Sequence, residues 1–285
     1  MLRTRPWRSA SLRLLTDHDR DEVLALCDRD PVANVFAAAR IRAVGLDPSR
    51  LGGQLWGYCD AGKLSSVCYS GANLVPVQAT AEAITAFAGR ARLQGRRCSS
   101  IVGPADAVQP LWELLSPAWG RPRDVRAVQP VLAMSGPSRI EPDPLVRPVR
   151  RAELDVLLPS CIAMFTEEVG VSPIGADGGH GYRQRVAELI GAGRAFAWFE
   201  GGEVVFKAEI GAVTREACQI QGVWVNPRYR GQRISEGGMS AVVEYALRDF
   251  SPLVTLYVND FNAPARAAYH RVGFREVSEF ASILF

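Results

Sequence analysis

Two clusters of side chains in this chain have the types and spacing to do chemistry. The stretch VWVNPRYRGQRISEGG, Val223 to Gly238, sets Arg228, Arg230 and Arg233 around Gly231, immediately before a helical pattern. Backbone N–H groups in the first turn of a helix have no intrahelical acceptor and carry the positive end of its dipole, so such a turn suits a phosphate. Guanidinium groups bind phosphate through paired hydrogen bonds, which makes a diphosphate the best match. The second cluster lies in VTLYVNDFNAPARAAYHRVGF, Val254 to Phe274, where Asn262 and Tyr269 stand seven residues apart. Seven residues are close to two helical turns, so one helix face carries an amide and a phenol.

Each cluster needs a strand that feeds a helix. CQIQGVWV reads as the first strand, and Met239, Val242, Val243, Ala246 and Leu247 form one apolar stripe on the helix Ser235–Asp249 that follows. LVTLYV is apolar throughout, as a buried parallel strand should be. Asn262 is placed to cap the helix Ala263–Val272, Pro264 falls in its first turn and Gly273 ends it. Upstream, LVRPV is a strand, Leu154–Phe165 and Tyr182–Ile190 are helices, and RAFAWFEGGEVVFKAEIGAV is a hairpin turning at Gly201-Gly202. Glu276–Phe285 closes the chain.

The first half repeats this order of elements. LRLLT, QLWGYCD, KLSSVCYSGANLVPVQA, CSSIVG and VRAVQPVLAM read as strands. Helical patterns follow LRLLT, span Ala81–Gln94 and include AVQPLWELL. Between the halves, Ser135–Pro148 holds four prolines and a glycine, which is linker chemistry. The expected organisation is two diverged copies of one α/β (α+β) unit, residues 1–137 and 145–285. No arginine-glycine turn occurs in the first copy, where ANLVPVQATAEAI stands at the equivalent place.

Composition narrows the field. The 33 basic residues include only two lysines, Lys63 and Lys207, but the arginines are scattered among 30 acidic residues and the net charge is only +3. That is a solvated surface and not a nucleic-acid footprint. Six cysteines show no CxxC pair and the three histidines lie near none of them, so no metal site is expected. Apolar runs are strand-length, which argues against a membrane span, and unpaired cysteines fit a reducing cytoplasm.

The run VWVNPRYRGQR with its helix, followed by LYVNDFNAPARAAYHRVGF, resembles the acetyl-CoA-binding core of the GNAT superfamily of N-acetyltransferases, over roughly Leu145 to Phe285. The later motif, Asn-x-x-Ala-x-x-x-Tyr-x-x-x-Gly-Phe, is matched in full. The earlier one, Arg/Gln-x-x-Gly-x-Gly/Ala, has Arg233 and Ser235 where the pattern has small residues. The resemblance implies two tandem domains of this fold, each a mixed, mostly antiparallel twisted sheet flanked by helices, with an inactive first copy. It implies acetyl-CoA as co-substrate, its pyrophosphate held by Arg230, Gly231, Gln232, Arg233, Ile234 and Ser235, and its pantetheine near Asn262. Backbone groups of Val223, Trp224 and Val225 would polarise the thioester carbonyl, and Tyr269 would protonate the departing thiolate.

Many members place a carboxylate on the strand before the turn, whereas this chain has Gln219 and Gln221 there. Glu209, Glu216 and the α-carboxylate of Phe285 are the alternatives for a base, beside deprotonation through water. The loop Phe165–Arg185, with Glu167, Glu168 and Asp177, stands where the family selects its acceptor, and its acids favour a cationic amine, small-molecule or peptide. A non-catalytic acyl-CoA sensor or scaffold is the alternative function, and a different nucleotide diphosphate a third.

Overall fold

The computed structural model describes residues 11–175 and 178–285. In chain order the elements are β1 (Ser11–Leu14), α1 (Arg20–Cys27), α2 (Val35–Val44), α3 (Pro48–Leu51), β2 (Gly53–Asp60), β3 (Lys63–Gly71), β4 (Asn73–Val77), α4 (Ala81–Gln94), β5 (Ser100–Pro104), α5 (Ala105–Trp119) and β6 (Asp124–Met134). They continue as β7 (Arg147–Pro148), α6 (Leu154–Val169), α7 (His180–Gly191), β8 (Ala195–Glu200), β9 (Glu203–Val213), β10 (Cys218–Val225), α8 (Ile234–Asp249), β11 (Val254–Tyr257), α9 (Ala263–Val272) and β12 (Arg275–Leu284).

The chain divides into two compact units, Met1–Pro130 together with Ser278–Phe285, and Val131–Val277. In the first, β1 to β4 run antiparallel to their neighbours, β4 and β5 are parallel, and residues 280–284 of β12 close the sheet against β5. In the second, β7 to β10 are antiparallel, β10 and β11 are parallel, and residues 131–134 of β6 close the sheet against β11. The two units therefore share one strand order and one set of strand directions. Each is completed by a strand from the other half of the sequence.

This division differs from the expected one at 137 and 145. The proline-rich segment is not a free linker: the N–H groups of Arg139 and Asp143 donate to the carbonyls of Val272 (2.8 Å) and Gly237 (3.0 Å), and Ser240 Oγ donates to the Ile140 carbonyl (2.5 Å). Proline removes donors but leaves such groups able to pair.

Helices cover both faces of each sheet. In the C-terminal unit α8 and α9 bury Met239, Val242, Val243, Ala246 and Val272 against Phe206, Ile220 and Leu256, while α6 and α7 bury Leu157, Val186 and Leu189 against Ala197 and Val204. In the N-terminal unit α4 and α5 pack Phe87, Leu111 and Leu115 on one face and α1 and α2 pack Val23, Leu26 and Ile41 on the other. Each fully buried side chain of this size contributes about 1.5–3 kcal/mol, so the apolar stripes dictate which helix face turns inward.

Gly237 and Gly238, poor helix formers, allow close approach by the protein itself. A Cβ on Gly238 would stand 2.8 Å from the Phe206 ring, and one on Gly237 would stand 3.2 Å from Asp143 Cβ. All six cysteines are buried and free. Among the described residues, no helix is long and apolar enough to cross a membrane.

Candidate functional site

Strand β10 parts from its parallel neighbour after two residues: only Cys218↔Val254 and Gln219↔Thr255 pair with β11. Against β9 its register shifts between Gln221 and Trp224, and Gly222 sits there at φ +61°, a left-handed value that favours glycine. The bulge leaves the β11-facing edge of Val223, Trp224 and Val225 without a ladder partner. Asn226 then starts the turn, its Oδ1 accepting from the Arg228 N–H (3.1 Å) and its Nδ2 donating to the Val204 carbonyl (3.2 Å).

The turn ends at α8 with Gly231 at φ +80° and Arg233 at φ +61°, ψ 14°. Arg233 thus holds the backbone conformation that a glycine adopts without strain, which explains why a small residue is the usual occupant. Its side chain, 76% exposed, swings out to Glu236 at 3.7 Å. Among the described residues, the N–H groups of Gly231, Gln232, Arg233, Ile234 and Ser235 find no acceptor in the protein, whereas the N–H of Glu236 is taken by the Arg233 carbonyl (2.9 Å). Successive unpaired donors at a helix N-terminus are suited to an anion.

The arginines are already engaged. Arg228 pairs with Glu203 at 3.2 Å. Arg230 donates from Nε to the Val225 carbonyl (3.0 Å) and from Nη2 to Glu167 (2.7 Å). Buried Glu236, in the first turn of α8, is held by Arg271 Nε at 2.8 Å.

Asn262 caps α9, its Oδ1 accepting from the Ala265 N–H at 3.3 Å. Tyr269 lies two turns on, 7% exposed, with its ring edge-to-face against Phe274 at 6.1 Å. Val223, Val225 and Ile234 pack against the apolar cluster that holds Tyr269, so the bulged strand, the donor turn and the phenol share one face of the sheet. Among the described residues, no protein group hydrogen-bonds the Tyr269 hydroxyl. Burial, with a smaller push from the Glu168 carboxylate, raises its pKa above the usual tyrosine range, so it is a proton donor at neutral pH.

The acidic candidates scatter. Glu167 and Glu168 are not in an open loop, because α6 runs on through Val169 and carries both on its last turn. Glu167 accepts from Trp224 Nε1 (3.2 Å) as well as from Arg230, and Glu168 accepts from Asn259 Nδ2 (2.9 Å). Asp177 lies outside the described residues. Glu209 is buried on β9, opposite Gln221, and its Oε1 takes Lys207 Nζ at 2.6 Å. Glu216 sits in the turn that precedes β10, at the opposite end of that strand from the bulge.

Phe285 is displaced altogether. It belongs to the N-terminal unit, where its ring packs against Trp112 (5.6 Å) and Trp119 (5.8 Å) and its N–H donates to the Ser99 carbonyl. A terminal strand that completes the other unit's sheet carries its carboxylate away, a swap invisible in the order of elements.

Sequence reasoning passed over Gly222 and Lys207. The glycine inside an otherwise apolar strand was the available signal for a bulge. For Lys207 the signal was a single lysine in the hydrophobic run of β9, which must be paired if buried.

Residues 167–274 match the family model described as Acetyltransferase (GNAT) family, and residues 53–157 match a domain of unknown function (DUF4081). The C-terminal unit therefore carries a GNAT domain. No curated protein matches. Solved structures share the fold across the chain. A GCN5-related N-acetyltransferase from Sphaerobacter thermophilus is 17% identical with a TM-score of 0.57, covering 98% of this chain and 96% of its own. A GNAT-family acetyltransferase from Colwellia psychrerythraea is 12% identical with a TM-score of 0.58, covering 96% and 99%. A tandem GNAT protein from the clavulanic acid biosynthesis pathway is 12% identical with a TM-score of 0.56, covering 97% and 98%.

Proposed function

We propose that the C-terminal unit, with its GNAT domain over residues 167–274, transfers an acetyl group from acetyl-CoA to a primary amine on a small molecule or peptide in the cytoplasm. The observation that carries this reading is the set of five N–H groups from Gly231 to Ser235, on the same sheet face as a buried phenol, none of which has a hydrogen-bond partner among the described residues. Those donors suit the coenzyme pyrophosphate, with Arg230 and Arg233 as flanking cations. The unpaired edge of Val223–Val225 suits a substrate that enters where β10 and β11 part, and an N–H there would polarise the thioester carbonyl. Asn262, fixed as a cap, keeps its amide N–H groups for the pantetheine.

In the reaction the amine nitrogen attacks the thioester carbon, the C–N bond forms and the C–S bond breaks. Tyr269 gives its proton to the leaving thiolate and regains one from the nitrogen through solvent.

The N-terminal unit is assigned a structural role. Its counterpart of α8 is α4, whose N-terminus is capped by the protein: Thr80 Oγ1 accepts from the Ala83 N–H at 3.3 Å, whereas α8 has no side-chain cap. The donors open in one copy are partly filled in the other.

The absence of a carboxylate from β10, where Gln219 and Gln221 stand, supports a second reading, an acyl-CoA sensor without turnover. Free-thiol release from acetyl-CoA, against polyamines, aminoglycosides, amino acids and peptide N-termini, separates the two. A transferase releases thiol with an acceptor and loses that release in Tyr269→Phe while keeping its affinity for CoA. A sensor binds CoA and releases none.

A further inference from the structure

We infer that Glu209 is the catalytic residue that takes the proton from the amine substrate, with Lys207 as the positioning residue that fixes it; this rests on the acetyl-transfer reading above. Glu209 stands on β9 directly across from Gln221 of β10, so the carboxylate that β10 lacks is supplied by the adjoining strand.

The other carboxylates of the site are committed. Glu167 spends both oxygens on Trp224 and Arg230, and Glu168 is bound to Asn259. Glu209 differs. Its Oε1 accepts from Lys207 Nζ at 2.6 Å and lies 3.6 Å from Cys161 Sγ, but among the described residues no donor meets Oε2. A carboxylate oxygen in a residue only 5% exposed would ordinarily be paired. Oε2 instead faces the β10 bulge. A Cβ on Gly222 would stand 3.2 Å from Oε2, 3.2 Å from Lys207 Nζ and 3.1 Å from Met164 Cε, so any side chain there would cover the oxygen. Glycine keeps that approach open, at the point where β10 leaves β11.

Among the described residues around it, Glu209 is the group left available as a base. Lys207 is fully buried; burial pulls its pKa down, but the charge and hydrogen bond of the Glu209 carboxylate outweigh this and raise it, so it is a fixed cation that balances the carboxylate. From α6, burial pushes the Cys161 thiol up to about 12, so it stays protonated. From α7, Tyr182 donates its hydroxyl to the Cys161 carbonyl at 2.9 Å and is likewise held neutral, chiefly by burial.

An ammonium substrate gives one proton to Oε2 and becomes a neutral amine, which attacks the thioester carbon. As the C–S bond breaks Tyr269 protonates the sulfur, the tyrosinate recovers the second nitrogen proton through solvent, and Glu209 releases its proton to water. The amide keeps the third hydrogen, so protons balance.

The test compares two nucleophiles on the full chain, with free-thiol release from acetyl-CoA as readout. Methylamine is an ammonium ion at neutral pH and needs a base. Hydroxylamine is uncharged there and does not. Glu209→Gln should cut methylamine-driven kcat by about 100-fold or more, leave hydroxylamine-driven release within about 3-fold, and leave CoA affinity by calorimetry unchanged. Equal loss with both nucleophiles, or no loss with either, overturns the assignment. Should Glu209→Gln fail to fold because Lys207 is left unpaired, the double variant Lys207→Gln with Glu209→Gln removes that charge and must show the same selectivity. A wild-type protein that binds no CoA, or releases thiol with neither nucleophile, overturns the acetyl-transfer reading and this inference with it. Wild-type turnover with an unchanged Glu209→Gln variant overturns only the inference.

Discussion

Arg230 and Glu167 are hydrogen-bonded at 2.7 Å between the donor turn and the last turn of α6, with the two side chains 48% and 46% exposed. The same carboxylate also accepts from Trp224 on the bulged strand. A diphosphate at the donor turn would therefore compete with Glu167 for the Arg230 guanidinium.

The competition is modest, because an exposed ion pair is worth about 0–1 kcal/mol. Glu167→Gln is expected to tighten CoA binding by about two- to five-fold in calorimetry, and Arg230→Ala to weaken it. Weaker binding in Glu167→Gln would show that the carboxylate holds Arg230 in its working position instead of diverting it.

Arg233→Gly is expected to raise stability. Relief of a left-handed backbone at φ +61° is worth about 1–2 kcal/mol. The extra freedom of glycine in the unfolded chain offsets about 0.4–1 of that. Little is lost with the side chain, since Arg271 already holds Glu236. A denaturant midpoint that rises by the equivalent of about 0.5–1 kcal/mol is the expected result, and one that falls would place Arg233 in an unrecognised stabilising contact.

Gly238→Ala runs against helix propensity. Alanine gains about 1 kcal/mol over glycine in a helix interior. Its Cβ would nevertheless stand 2.8 Å from the buried Phe206 ring, and overpacking of that kind costs about 1–3 kcal/mol. Net destabilisation is expected in thermal unfolding, with Gly238→Ala rescued in part by Phe206→Leu.

Tyr269 gives a pH signature. Its pKa is raised in the folded state, chiefly by burial, so the stability it contributes is full below the unfolded value near ~10 and is lost as pH climbs through the folded value. Wild type should lose stability above about pH 10 more steeply than Tyr269→Phe, and parallel curves for the two would mean that the ring is not held neutral.

Much of this was legible in sequence because local chemistry and tertiary packing agree. The α9 boundaries follow from Asn262, Pro264 and Gly273, and the Gly201-Gly202 turn from its glycines. The duplication was visible as a repeated order of elements, and the donor turn from Gly231 and its arginines. Partners distant in the chain were not visible. The swap that carries Phe285 into the N-terminal unit, the placement of Glu209 opposite Gln221, and the reach of Glu167 to Arg230 depend on strand register or on where α6 ends. Neither has a local signature: α6 continues to Val169 through residues that read equally well as loop.

Because residues 280–284 pair with β5, the half of the protein that leaves the ribosome first is the half finished last. Its sheet stays one strand short until residues 280–284 have been made, and a chain stalled or clipped before residue 278 exposes the β5 edge to aggregation. Quality control that senses open strand edges would thus read a missing β12 as a defect of the N-terminal half.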